Sequence, residues 1–288
     1  LSDTRESCQR IKLSLGPGIN SCGLTLIDAG ILPTPAAKFL LSNPENNPPG
    51  SEIAIVISAS HNQYQDNGIK LFTKLGKISD DDESFISNLW NNSSTTFPPG
   101  LKTTTINNWP EAQNIYANYL INHFPQNFLK NKKIVLDCAN GAAYKVAPIV
   151  FEKLGANLTV INNSPNGKNI NNSCGSTNPE NLIKTMKEVD ADAGFAFDGD
   201  SDRVISVNHK GEIKDGDDIL AMLIKDQEFK NESKVVGTLM SNSGLERSLQ
   251  KSGVFLIRAD VGDKNVANEL ERDNILLGGE PCGHLIIK

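Results

Sequence analysis

Apolar and polar positions along this chain alternate with two periods. Short runs rich in β-branched residues recur, and each is followed by a turn and a stretch in which apolar residues return every three to four positions. The first pattern marks a buried strand and the second an amphipathic helix. In the middle third, 133–137 (KIVLD) reads as a buried strand, 144–154 as a helix ended by Gly155, and 158–161 as the next strand. Asn178-Pro179 starts a helix with Pro at its first position; it runs to about Val189, and 193–197 is a third strand. The last third repeats the theme with strand 235–240, helix 244–251 stopped by Gly253, strand 254–257, helix 264–272 and strand 275–277. The first third shows one clear strand, 53–57 (IAIVI), and a polar stretch at 91–100 that reads as a loop or boundary. This alternation predicts an α/β fold of three similar units with mixed, mainly parallel sheets: 1–109, 110–212 and 213–288.

Composition narrows the class. A chain of 288 residues is too long for one ordinary domain, and 38% hydrophobic with 22% charged residues describes a globular protein, not a disordered one. The formal charge of −6 argues against non-specific nucleic-acid binding, which needs a basic stripe. It leaves room for a phosphorylated ligand, because a metal ion or a few cations can reverse the sign inside a cleft. Cys8, Cys22, Cys138, Cys174 and Cys282 are scattered without a C-x-x-C pair, as expected of reduced thiols. No apolar run approaches the roughly 20 residues that span a bilayer. The expected location is the cytoplasm, with no membrane partner.

Candidate chemistry collects after three strands. Asp198-Gly199-Asp200-Ser201-Asp202-Arg203 follows the 193–197 strand, where ligands gather in open α/β sheets. Carboxylates at i, i+2 and i+4 in a Gly-containing loop can converge on one hard cation such as Mg²⁺; a solvated acidic turn is the plainer alternative. An EF-hand fails on spacing, since its sixth position is Arg203 and its twelfth His209. Arg203 could fork onto a phosphate or form a structural ion pair. Ser58-Ala59-Ser60-His61-Asn62 follows the 53–57 strand, with Asn67-Gly68-Ile69-Lys70 beyond it. Ser60 could act as a nucleophile or carry a phosphate, with His61 and Lys70 as proton or charge donors. Taken alone, an ordinary polar turn looks the same, and no G-x-S-x-G elbow surrounds Ser60. Gly278-Gly279-Glu280-Pro281-Cys282-Gly283-His284 follows the last predicted strand, and Glu280 and His284 could bind sugar hydroxyls.

The ordered set of these three loops, with Asp3-Thr4-Arg5 near the start, resembles the α-D-phosphohexomutase superfamily over essentially the whole chain. Asp137–Ala142, Asn169-Ile170-Asn171 with Cys174–Thr177, and Thr238–Asn242 with Gly244-Leu245-Glu246 resemble the phosphoglucosamine mutase branch. That resemblance implies four domains around a cleft, so the first would lack its beginning and the fourth would be absent here. It implies a phosphoserine at Ser60, whose phosphate joins Asp198, Asp200 and Asp202 on one Mg²⁺ ion. His61 and Lys70 would assist proton transfer and Arg203 would contact phosphate. Glu280 and Cys282, together with His284, would read the sugar. The implied reaction interconverts glucosamine 6-phosphate and glucosamine 1-phosphate through glucosamine 1,6-bisphosphate, toward UDP-N-acetylglucosamine and cell-wall precursors. Phosphomannomutase/phosphoglucomutase activity, an inactive fragment that binds metal or sugar phosphate, and an aspartyl phosphatase using Asp198 are the competing expectations. Against the family pattern, Gln63 replaces a usual Pro, Ser201 a Gly and Cys282 a Ser, the last a weaker hydrogen-bond partner.

Overall fold

The computed structural model describes residues 1–43, 47–48, 50–92 and 105–288; most of the 91–100 stretch therefore lies outside the described residues. The first unit comprises α1 (Ser7–Ser21), β1 (Leu26–Asp28), α2 (Ala36–Ser42), β2 (Ala54–Ile57), β3 (Ile69–Thr73), β4 (Gly76–Lys77), α3 (Asp80–Asn92) and β5 (Ile106–Asn108). Its β2-β3-β4 sheet is antiparallel, β1 and β5 pair in parallel, and Ser2 bridges in parallel to both Ile31 and Ile57.

The connecting helix α4 (Ala112–Asn122) leads into β6 (Lys133–Asp137), a 3₁₀ turn at Ala142–Tyr144, α5 (Val146–Lys153), β7 (Asn157–Ile161), α6 (Glu180–Val189), β8 (Ala193–Phe197), β9 (Val204–Asn208) and β10 (Ile213–Lys214). The sheet order is β10-β9-β8-β6-β7, parallel through β8-β6-β7 and antiparallel at β9 and β10. The third unit runs α7 (Gly216–Leu223), β11 (Lys234–Thr238), α8 (Ser243–Lys251), β12 (Phe255–Ala259), α9 (Asp263–Asp273), β13 (Leu277–Gly279) and β14 (Leu285–Ile287). Its sheet, β12-β11-β13-β14, is parallel except at β14. The expected α/β units with mixed, mainly parallel sheets are thus present.

Several local expectations shift. The 144–154 helix opens as a 3₁₀ turn before Val146. The strand expected at 275–277 begins at Leu277, because Asn274 ends α9 in a left-handed conformation and the Ile275 amide still donates to Leu270 O at 2.9 Å. Likewise β11 stops at Thr238, where the Ser241 amide folds back onto the Thr238 carbonyl and Leu239 and Met240 turn outward. The hairpin β9–β10 and the helix α7, absent from the sequence reading, carry the chain from the second sheet to the third.

One core joins the first two units. Phe39 and Leu40 of α2 pack with Tyr116 and Ala117 of α4 and with Val146 and Val150 of α5, so α4 is cemented between them. Burial of such side chains stabilises by about 1.5–3 kcal/mol each before ordering costs. A second core lies under α6 (Leu182, Met186) against Val135, and a third under α7 and α8 (Leu220, Leu245, Leu249). No described helix is long and apolar enough to cross a membrane.

Candidate active site

Three loops at the ends of β2, β8 and β13 meet. The first carries Ser60, whose backbone is left-handed (φ 50°) although it is not glycine, a conformation that costs roughly 1–3 kcal/mol unless its surroundings hold it. The Ser60 hydroxyl donates to Asp198 Oδ2 at 2.5 Å, across 138 residues of sequence. Lys70, in β3, reaches Asp200 Oδ2 at 2.6 Å and Asp202 Oδ2 at 3.3 Å. His61 Nδ1 lies 3.1 Å from Arg203 Nη1.

The second loop holds the three carboxylates. Each offers one oxygen to a group within 4.8 Å of one another, and Asp198 and Asp200 are buried. Burial, followed by the charges of Asp202 and Asp200, raises the Asp198 pKa; hydrogen bonds from Ser60 and the Arg203 amide oppose this. Burial also pushes Asp200 upward, but the charge and hydrogen bond of Lys70, with hydrogen bonds from Thr34 and Ser60, outweigh it and hold Asp200 below the ordinary carboxylate value. Burial and the neighbouring Arg203 lower the pKa of His61. Gly199 has no room for a side chain: a Cβ would stand 2.5 Å from Ser60 O and 2.7 Å from Asn171 Nδ2. The backbones of the serine and acidic loops are therefore in direct contact.

The third loop closes on the second through Gly283, whose carbonyl accepts the Val204 amide at 3.0 Å. Glu280 is buried, with Oε1 accepting the Gly262 amide at 2.9 Å, and Cys282 Sγ lies 3.9 Å from Glu280 Oε2. His284 stands 3.8 Å from both Asp202 and Asp263. The ten site residues expected from sequence, Ser60, His61, Lys70, Asp198, Asp200, Asp202, Arg203, Glu280, Cys282 and His284, thus lie on these three adjoining loops and on β3.

The residues fit a hard divalent cation. Asp200 Oδ1 and Asp202 Oδ1 are buried without a hydrogen-bond partner, while their Oδ2 atoms rest on Lys70. Buried carboxylate oxygens without partners are costly, and converging oxygens of this kind are what Mg²⁺ takes as ligands.

Models of the phosphoglucomutase/phosphomannomutase alpha/beta/alpha domains I, II and III match residues 2–96, 114–211 and 215–288. The chain belongs to the phosphoglucomutase/phosphomannomutase family. Within this family it is 41% identical over 295 residues to a phosphoglucosamine mutase of Campylobacter curvus, covering 99% of this chain and 64% of that protein. It is 40% identical over 286 residues to one of Deinococcus radiodurans, covering 99% and 62%. The chain thus spans under two thirds of these relatives' length. Among solved structures, a phosphoglucomutase/phosphomannomutase family protein from Burkholderia thailandensis aligns with a TM-score of 0.86 at 24% identity, covering 100% of this chain and 63% of that one. An N-acetylphosphoglucosamine mutase of Aspergillus fumigatus, solved with GlcNAc-6P and magnesium, aligns with a TM-score of 0.64 at 15% identity, covering 98% and 66%. These likenesses carry the phosphohexomutase fold.

The same loops are also held by residues to which the sequence assigned no role. Thr34 donates its hydroxyl to Asp200 Oδ2 at 2.5 Å and its amide to Asp200 O at 2.8 Å. Arg5, paired with Asp3 at 2.8 Å, donates to the carbonyls of Ser60, Asn62 and Gln63. Asn171 donates to Ser60 O at 2.8 Å and to Asn62 O at 2.9 Å. Their partners lie 55 to 166 residues away, so spacing could not reveal them. The one signal was that Arg5 and Asn171 sit in segments that resemble the family.

Proposed function

We propose that the protein carrying this chain interconverts glucosamine 6-phosphate and glucosamine 1-phosphate through a phosphorylated Ser60. The observation that carries this reading is the Ser60 hydroxyl placed 2.5 Å from Asp198 within a group of three converging carboxylates. A serine in such a place can exchange a phosphoryl group beside a cation, and relatives at about 40% identity are phosphoglucosamine mutases. Asp198, Asp200 and Asp202 would hold Mg²⁺, joined by the phosphate on Ser60. When bound, the ion supplies charge neutralisation for the phosphoryl oxygens.

In this mechanism phospho-Ser60 gives its phosphoryl to the sugar O1, forming glucosamine 1,6-bisphosphate. The sugar turns over in the cleft, and Ser60 takes the phosphoryl back from O6. Arg203 contributes positive charge toward the transferring group, while His61 and Lys70 carry the proton of the reacting hydroxyl. Glu280, Cys282 and His284 bind the sugar hydroxyls and orient the ring. A cleft that excludes water protects the phosphoserine.

The test uses full-length protein preloaded with sugar 1,6-bisphosphate and Mg²⁺, with Ser60→Ala as the control. Glucosamine 1-phosphate formed from glucosamine 6-phosphate, and lost in the variant, is the expected result. Turnover restricted to mannose or glucose phosphates would transfer the reading to a phosphomannomutase/phosphoglucomutase, the activity named by the family models. No turnover of any hexose phosphate would overturn it.

A further inference from the structure

The polar atoms of the Ser60 backbone are all held. Its amide donates to Ser58 Oγ at 2.9 Å, and Ser58 Oγ donates in turn to Asp3 Oδ2 at 2.6 Å. Its carbonyl accepts from Arg5 Nη2 at 2.9 Å and from Asn171 Nδ2 at 2.8 Å. The Asn62 carbonyl accepts from the same two side chains, at 2.8 and 2.9 Å, and Gln63 O accepts from Arg5 Nη1. Arg5 and Asn171 are each 2% exposed and come from different units, one just before α1 and the other between β7 and α6. A planar guanidinium can serve Asp3 with one edge and three carbonyls with the other, which an ammonium cannot. Donors that are charged or desolvated form the stronger hydrogen bonds.

A turn held in this way serves a purpose at Ser60. Left alone, a serine at φ 50° would relax toward the ordinary regions, and its Oγ would swing away from Asp198. Gly199 presses against the same carbonyl, so the loop has no freedom to settle elsewhere without displacing the acidic loop. We propose that Arg5 and Asn171 are positioning residues that lock the Ser60 turn across the boundary between the first two units. They set how a phosphoryl group on Ser60 divides between the sugar and water. This rests on the phosphoserine reading above. Loss to water is the reaction in which a water oxygen bonds to phosphorus, the Oγ–P bond breaks, and Oγ regains a proton while inorganic phosphate leaves. A loosened turn slows the transfer, which needs alignment with the sugar oxygen, and opens the phosphoserine to water.

Arg5→Lys and Asn171→Ser in the full-length protein test the proposal, the second variant serving if the first fails to fold. We expect kcat to fall about 10- to 100-fold with KM within about threefold of wild type, as when supporting partners of a reactive centre are removed. The phosphoserine, followed by intact mass in the absence of sugar, should decay on the order of tenfold faster. A purely structural role would lower the unfolding temperature and leave both readouts in place. Folded variants whose kcat and phosphoserine lifetime stay within about twofold of wild type would overturn the proposal. If wild-type protein turns over without phosphate on Ser60, the phosphoserine reading fails by itself. The lock is then judged by amide exchange in residues 58–63 of the same variants: exchange about tenfold faster supports it, and unchanged exchange overturns it.

Discussion

At the scale of single residues, the site balances charge with few groups. Of three buried or nearly buried carboxylates, Asp200 and Asp202 pair with Lys70 and Asp198 accepts from Ser60, and one oxygen each of Asp200 and Asp202 is left without a hydrogen-bond partner. Thr34 bears on this balance because its hydroxyl supports the Asp200 oxygen that Lys70 also uses. Thr34→Val keeps the shape and removes the donor, so Mg²⁺ affinity measured by calorimetry should fall about tenfold, while Thr34→Ser should retain it. Equal affinity in all three proteins would show that Lys70 alone orients Asp200. Cys282 offers a different test. Cys282 is exposed, and partial desolvation, only partly offset by the His284 amide and Arg203, raises its pKa, leaving a neutral thiol 3.9 Å from Glu280 Oε2. Cys282→Ser replaces a weak hydrogen-bond partner with a good one, and KM for the sugar phosphate should stay equal or fall. A large loss of kcat/KM would mean that the thiol has a contact of its own.

At the scale of elements, stability rests on local devices that are separable from the site. Asn242 caps α8, its side chain accepting the Leu245 amide at 2.9 Å, and Asp215 caps α7 through the Asp218 amide at 3.0 Å. Asn242→Ala should therefore lower unfolding free energy by about 1 kcal/mol in urea titrations, and Asn242→Gly by only a few tenths. Equal losses in the two would mean that the side chain's bond is not what matters. Residues 133–137 were legible because 134–137 are buried on both faces, and 193–197 because buried positions alternate with half-buried ones, each giving a short apolar run bounded by turn residues. The helix α1 was not, since Gly16-Pro17-Gly18 lies inside it and breaks the pattern a helix should show. The helix α3 buries no side chain, and its apolar stripe of Phe85, Ile86, Leu89 and Trp90 is exposed, so it packs into no core. The loops bearing Ser60, the three Asp and Glu280 could be read because strand ends and acidic spacing are local features. Thr34, Arg5 and Asn171 could not be assigned, because their partners are fixed by how units pack.

At the scale of the whole molecule, the third unit is joined to the first by ion pairs beside the cleft. Lys77, in β4, pairs with Asp263 at the start of α9, and Lys264 pairs with Asp80 at the start of α3. His284 lies 3.8 Å from Asp263 and from Asp202, so this contact adjoins the acidic loop. Burial alone would raise the Asp263 pKa. The hydrogen bond and charge of Lys77, with the charge of His284 and the Lys264 amide, hold it below the ordinary carboxylate value. A depressed carboxylate stabilises the folded state above its unfolded pKa of about 3.9, and that contribution is lost as pH falls through the lower folded value. The pair is part-exposed, so its worth is on the order of 1 kcal/mol or less and declines with added salt. Lys77→Met removes it. The difference in unfolding free energy between wild type and variant should be full near neutral pH, shrink below about pH 4, and diminish in molar salt. A difference that ignores both pH and salt would assign the contact between the units to packing, leaving the charges as ornaments of a boundary held by other means.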